Sequence, residues 1–136
     1  MSSAMLDSTL DLQVDHNSHA SRVIPELWIS FVALMRSHLG ALQTTGKLSN
    51  ATLSEGSVNS FTIHDLSRKL DMTITLETGH GTYKIERIRQ TLRQGSWQLN
   101  ADATVEIDEG ALADMELGVE EFARRLWAAP AEGVTL

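Results

Sequence analysis

The chain has 136 residues, 42% of them hydrophobic and 5% aromatic, and a formal charge of −7 at neutral pH. That length fits one domain over residues 1–136, with 1–8 and 130–136 expected to be loose, and it is enough to bury a core without staples. The absence of cysteine excludes disulfides, thiolate zinc sites and cysteine nucleophiles. The acidic balance argues against nonspecific nucleic-acid binding, which depends on Lys and Arg neutralising phosphates.

No basic residue precedes Arg22, so the charged start of a secretion signal is missing. The longest apolar run, residues 27–35, is about half of a membrane span and is interrupted by Ser30. A cytoplasmic protein without membrane association is expected.

In chain order, residues 9–15 alternate Leu10, Leu12 and Val14 with polar or acidic side chains, the period of a strand with one buried face; the competing reading is a disordered lead-in. A helix is expected over 22–42, with Ser21 as N-cap and Pro25 in its first turn. Ile24, Leu27, Trp28, Phe31, Leu34, Met35, Leu39 and Leu42 follow helical spacing, and Ile29 and Val32 widen the apolar surface beyond one stripe. Such a helix is either deeply buried or shared with a partner. Residues 47–56 read as an edge strand or a loop.

Alternation then continues through Phe61 and Ile63, through Leu70, Met72, Ile74 and Leu76, and from Trp97 to Ile107 as one strand. A four-residue loop over 78–81 would set Leu76 against Tyr83 and Ile74 against Ile85. A two-residue turn at Gln94-Gly95 would set Leu92 against Trp97 and Ile88 against Ala101, with Arg87 and Arg89 opposite Asp102 and Asn100. These registers give Ile85 and Ile88 opposite parity, which predicts a β-bulge near Glu86-Arg87. The alternative is a short helix through Ile85, Ile88 and Leu92. A final helix is expected, with Asp108 and Glu109 at its start, Arg124 and Arg125 near its end, and a stripe of Leu112, Met115, Val119, Phe122 and Leu126.

The fold class that follows is α+β: a two-layer sandwich in which a meander of four or five antiparallel strands packs on an N-terminal and a C-terminal amphipathic helix. The element order resembles cystatin-like and helix-grip folds, a likeness of architecture that implies no function.

Candidate chemistry is sparse. His16 and His19, three apart beside Asp15, have the spacing to converge on a metal from one helix face, against the plainer reading of a solvated loop. A turn through Ser67-Arg68 would place His64 across from Asp71 on the polar face of the sheet, a pairing that serves a general base or an ordinary cross-strand contact. No nucleophile elbow accompanies it. His80 sits between two glycines at a hairpin tip, and His38 reads as a structural residue on the first helix. The span from Gly40 to Gly46-Lys47 has five intervening residues, one too many for a phosphate loop. Residues 102–121 hold eight acids and no base, whereas 84–93 carry four bases against Glu86.

Two functions are compatible with this pattern. One is a binding or adaptor module working through protein–protein contacts, as a homo-oligomer or with another partner and without cofactor. The other is a hydrophobic-ligand-binding or small enzymatic fold, with a pocket between sheet and helices lined by Trp28, Phe31, Tyr83, Trp97 and Phe122. A hollow core favours the second; a filled core and exposed apolar groups favour the first.

Overall fold

The structure is a computed structural model that describes the backbone of residues 2–48 and 50–135 and the side chains of residues 23–48 and 50–129. Among the described residues the elements run α1 (Ser2–Thr45), β1 (Ala51–Ser57), β2 (Ser60–Asp65), β3 (Leu70–Glu77), β4 (His80–Arg87), β5 (Gln90–Leu99), β6 (Thr104–Ile107), β7 (Ala113–Asp114) and α2 (Met115–Thr135). The strands pair antiparallel in chain order, and the sheet is curled into a half-barrel. The class is α+β with a helix at each end, as expected, but the sheet has seven strands and curls. No helix among the described residues is long and apolar enough to cross a membrane.

Period-2 alternation builds the centre of the sheet. Phe61, Ile63, Leu70, Met72, Ile74, Leu76, Tyr83 and Ile85 are all buried on one face. Thr62, His64, Asp71, Thr73, Thr75 and Lys84 lie at the alternate positions, half-buried or exposed. The β2–β3 register sets His64 against Asp71, as the sequence predicts.

Three registers differ from expectation. The β3–β4 turn is the two residues Thr78-Gly79, so Ile74 faces Tyr83 and Met72 faces Ile85. That is a shift of two, which keeps every side chain on its expected face. The β4–β5 turn is Ile88-Arg89, and Gln94-Gly95 lies inside β5, so Arg87 pairs with Gln90 and faces neither Asp102 nor Asn100. The run from Trp97 to Ile107 breaks after Leu99 and reverses through residues 100–103, which puts Leu99 opposite Val105. A bulge lies beside Ile85-Glu86, but its extra residue is Leu92 on β5 and not at Glu86-Arg87: Ile85 pairs with Arg93 and Glu86 with Thr91.

α1 starts at Ser2 and contains Pro25, so Ser21 does not begin it. The strand expected over 9–15 is instead part of α1, and the side chains of residues 1–22 and 130–136 lie outside the described residues. The wide apolar surface of α1 is explained by burial: Trp28, Phe31, Val32, Met35, Leu39 and Leu42 all enter the core, while Ile29 stays exposed. Residues 51–57 form the edge strand, tied to α1 by Arg36–Glu55 at 3.0 Å and by Gln43 Nε2 donating to Ala51 O at 2.9 Å.

α2 begins at Met115, later than the expected Asp108-Glu109, because Asp114 caps it: its Oδ1 accepts from Leu117 N–H at 2.8 Å. Asp108 and Glu109 instead form a turn at positive φ (55° and 59°), closed by Gly110 N–H donating to Ile107 O at 3.0 Å. Val119, Phe122, Ala123, Leu126 and Ala129 face the core, whereas Leu112 is exposed.

Candidate functional site

The five aromatic side chains expected to line a pocket form a packed cluster. Phe31 stacks on Trp97 with centroids 5.0 Å apart, Trp97 meets Phe122 edge-on at 5.3 Å, and Phe122 meets Tyr83 at 5.4 Å. Trp28 lies 6.1 Å from Trp97. All five are at most 7% exposed. Their ring contacts join α1, α2 and the sheet within the buried core.

His64 and Asp71 come together, and a third residue joins them. His64 Nδ1 lies 2.7 Å from Asp71 Oδ1, and His64 Nε2 lies 2.8 Å from Ser54 Oγ. A carboxylate only accepts, so Nδ1 is the donor, and in the neutral ring Nε2 accepts from the serine hydroxyl. This is the order of contacts in a Ser–His–Asp relay. It stands on the solvent face of β1–β3, with the side chains of His64 and Asp71 34% and 53% exposed. Ser54 was hidden in sequence because its strand sits in a mixed Ser, Thr and Gly stretch.

His16 and His19 lie outside the residues described to the side chain. Among the described residues, no cluster of His, Asp and Glu has metal-holding geometry.

A second polar cluster joins β4, the turn after β6 and α2. The Tyr83 hydroxyl donates to Asp108 Oδ2, and Arg125 Nη2 lies 3.5 Å from that oxygen and 3.5 Å from Glu121 Oε1. Arg124 forks onto Glu121 with bonds of 3.1 and 2.6 Å. Burial first, and the bond to Asp108 second, push the Tyr83 hydroxyl above its usual value near 10, against the pull of Arg125. The hydrogen bonds from Arg124 hold the Glu121 carboxyl below its usual range, partly offset by burial. Asp102, in the β5–β6 turn, is lowered by hydrogen bonds from the Thr104 side chain and backbone. Arg125 is 8% exposed, and among the described residues its Nε and Nη1 have no acceptor. Beside it opens a groove of about 240 Å³ between β6, β7 and α2.

Between these features the sheet has an open edge. β6 pairs only with Trp97–Leu99 of β5, and Asp108 N–H donates to Ser96 O at 2.8 Å before the chain turns away. Antiparallel alternation then turns the N–H and C=O of Gln94 outward as well, and residues 90–95 have no strand beside them on that side among the described residues. The edge ends in the Ile88-Arg89 turn, where both residues have positive φ (46° and 69°) and Ile88 is 73% exposed.

Comparison of the chain with protein-family models, with curated proteins and with solved structures finds no match.

Proposed function

We propose that the chain is a protein–protein binding module that pairs with a second copy of itself along the open edge of β5. The carrying observation is the Ile88-Arg89 tip. A two-residue hairpin turn with both residues at positive φ calls for Asn or Gly, and a β-branched residue there is strained. Here an isoleucine occupies that position and points its side chain into solvent, where it gains nothing within the monomer. Strain of this kind persists where the residue serves a function.

Charge supports the choice of occupant. Antiparallel pairing of residues 90–95 with the same segment of a second copy brings each Ile88-Arg89 tip against the partner's 108–112 loop. Arg87 and Arg89 would then approach Asp108 and Glu109, and Ile88 would approach Leu112, itself 62% exposed. One two-fold pairing satisfies backbone, charge and apolar surface together. The close ring contacts among the five buried aromatics support this reading over a ligand chamber between sheet and helices.

The test replaces the tip with the turn's preferred residues, Ile88→Asn with Arg89→Gly. This variant should raise monomer stability by about 1 kcal/mol by relieving the turn, yet weaken association at least tenfold. A variant that associates as tightly as the parent chain rules the tip out.

A further inference from the structure

The groove beside Arg125 is a second feature, argued from its own side chains, and it shares the 108–112 loop with the self-association surface. Its walls are about equally polar and apolar: Val105, Ile107, Ala111, Ala113 and Leu117 give the apolar part, and Arg125 and Glu121 contribute charged groups. A guanidinium with a 10% exposed side chain and two N–H-bearing nitrogens without acceptors among the described residues carries an uncompensated desolvation cost. The ion pairs it does make are long, 3.5 Å to Asp108 and 3.5 Å to Glu121, and both fall on Nη2. Its guanidinium carbon also lies 5.6 Å from the Tyr83 ring centre.

We infer that this groove binds a short-chain monocarboxylate, with the carboxylate on Arg125 and the alkyl chain along the wall of β6, β7 and α2. A carboxylate supplies the planar pair of acceptors that a guanidinium fork matches. Nε and Nη1 are closed off from solvent in the free chain, so binding requires the fork to rotate and bring an orphaned N–H to the ligand. Asp108 and Glu121 flank the site and disfavour a dianion such as phosphate. The groove's 240 Å³ suits a ligand of a few carbons and is small for a drug-sized molecule.

The test is a titration of the isotope-labelled full chain with sodium hexanoate, followed by the Arg Nε–H and backbone amide signals. Hexan-1-ol, hexylamine and inorganic phosphate serve as controls at matched ionic strength. Hexanoate should shift the Arg125 Nε–H and Gly110 amide signals with a midpoint on the order of 1 mM, as expected for so small a ligand. Hexan-1-ol should bind at least tenfold more weakly. Arg125→Gln should lose the response. Ala111→Phe should block it with the fold intact, because Ala111 is an exposed wall residue. The proposal is overturned if hexan-1-ol shifts the same signals as well as hexanoate, if phosphate competes equally, or if the groove signals stay still up to about 20 mM, well beyond the expected midpoint.

Discussion

Arg68, in the turn between β2 and β3, donates from Nη1 to the backbone carbonyl of Trp127 at 2.8 Å, joining sheet to α2 across 59 positions of chain. Its Nε donates to Asp65 Oδ2 at 2.5 Å, and Asp65 is 2% exposed. Arg68→Ala therefore leaves a buried carboxylate without its cation. The expected cost is roughly 3 kcal/mol, read as a fall in the urea midpoint. A loss below about 0.5 kcal/mol, the size of an ordinary surface change, would mean that the pair contributes little.

Tyr83 is the chain's single tyrosine, so its ionisation can be followed cleanly by ultraviolet absorbance. Its hydroxyl ionises above the usual value because of burial and the Asp108 bond. The raised value means that the folded state holds its proton longer than the unfolded state. The associated stability is complete below pH ~10 and declines as pH rises through the folded-state value. Asp108→Asn should bring the titration closer to the ordinary range. An unchanged titration in that variant would remove Asp108 as a cause.

Gly95 sits inside β5 because nothing larger fits. A Cβ there would overlap Asp108 Oδ1 and come within 2.7 Å of Tyr83 Cε1. Gly95→Ala should destabilise by about 1–3 kcal/mol, as overpacking does, and should also disturb the tyrosine titration. An alanine variant as stable as the parent, with an unaltered titration, would contradict this packing.

The Ser54–His64–Asp71 relay lies on an exposed sheet face, where water screens its charges. A fluorophosphonate probe should leave Ser54 unlabelled at neutral pH, and His64→Ala should change stability by no more than about 1 kcal/mol. Labelling of Ser54 that His64→Ala abolishes would make the relay a nucleophile.

Local pattern was enough for the middle of the sheet. Alternation through Phe61–Ile63 and Leu70–Leu76, with a turn between them, determines the His64–Asp71 pairing. The parity conflict between Ile85 and Ile88 places a bulge in this hairpin but on the wrong strand, and neither turn from which it was deduced is correct. The first was wrong by two residues, an error that parity conceals. The second was wrong because Gly95 suggests a turn, whereas its actual cause is the tertiary approach of Asp108 and Tyr83. Ile88-Arg89 offers none of the usual signals for a tight turn. Arg125 reads in sequence as a cation favourably placed near the end of a helix, and only the fold reveals its burial against Tyr83, Asp108 and Glu121.

The measurement that bears most directly on the self-pairing of β5 is solution mass by light scattering on the full chain and on Gln94→Pro. Gln94 directs its N–H away from β4, so proline there removes an edge donor and spares the β4–β5 ladder. The account predicts about 30 kDa, twice the chain's 15.0 kDa, at low ionic strength. It predicts a shift toward the single-chain mass near 1 M salt, where screening shortens to about 3 Å, and in Gln94→Pro at any salt. A parent chain that stays at 15.0 kDa at low salt, or a Gln94→Pro variant that keeps the doubled mass, would contradict it.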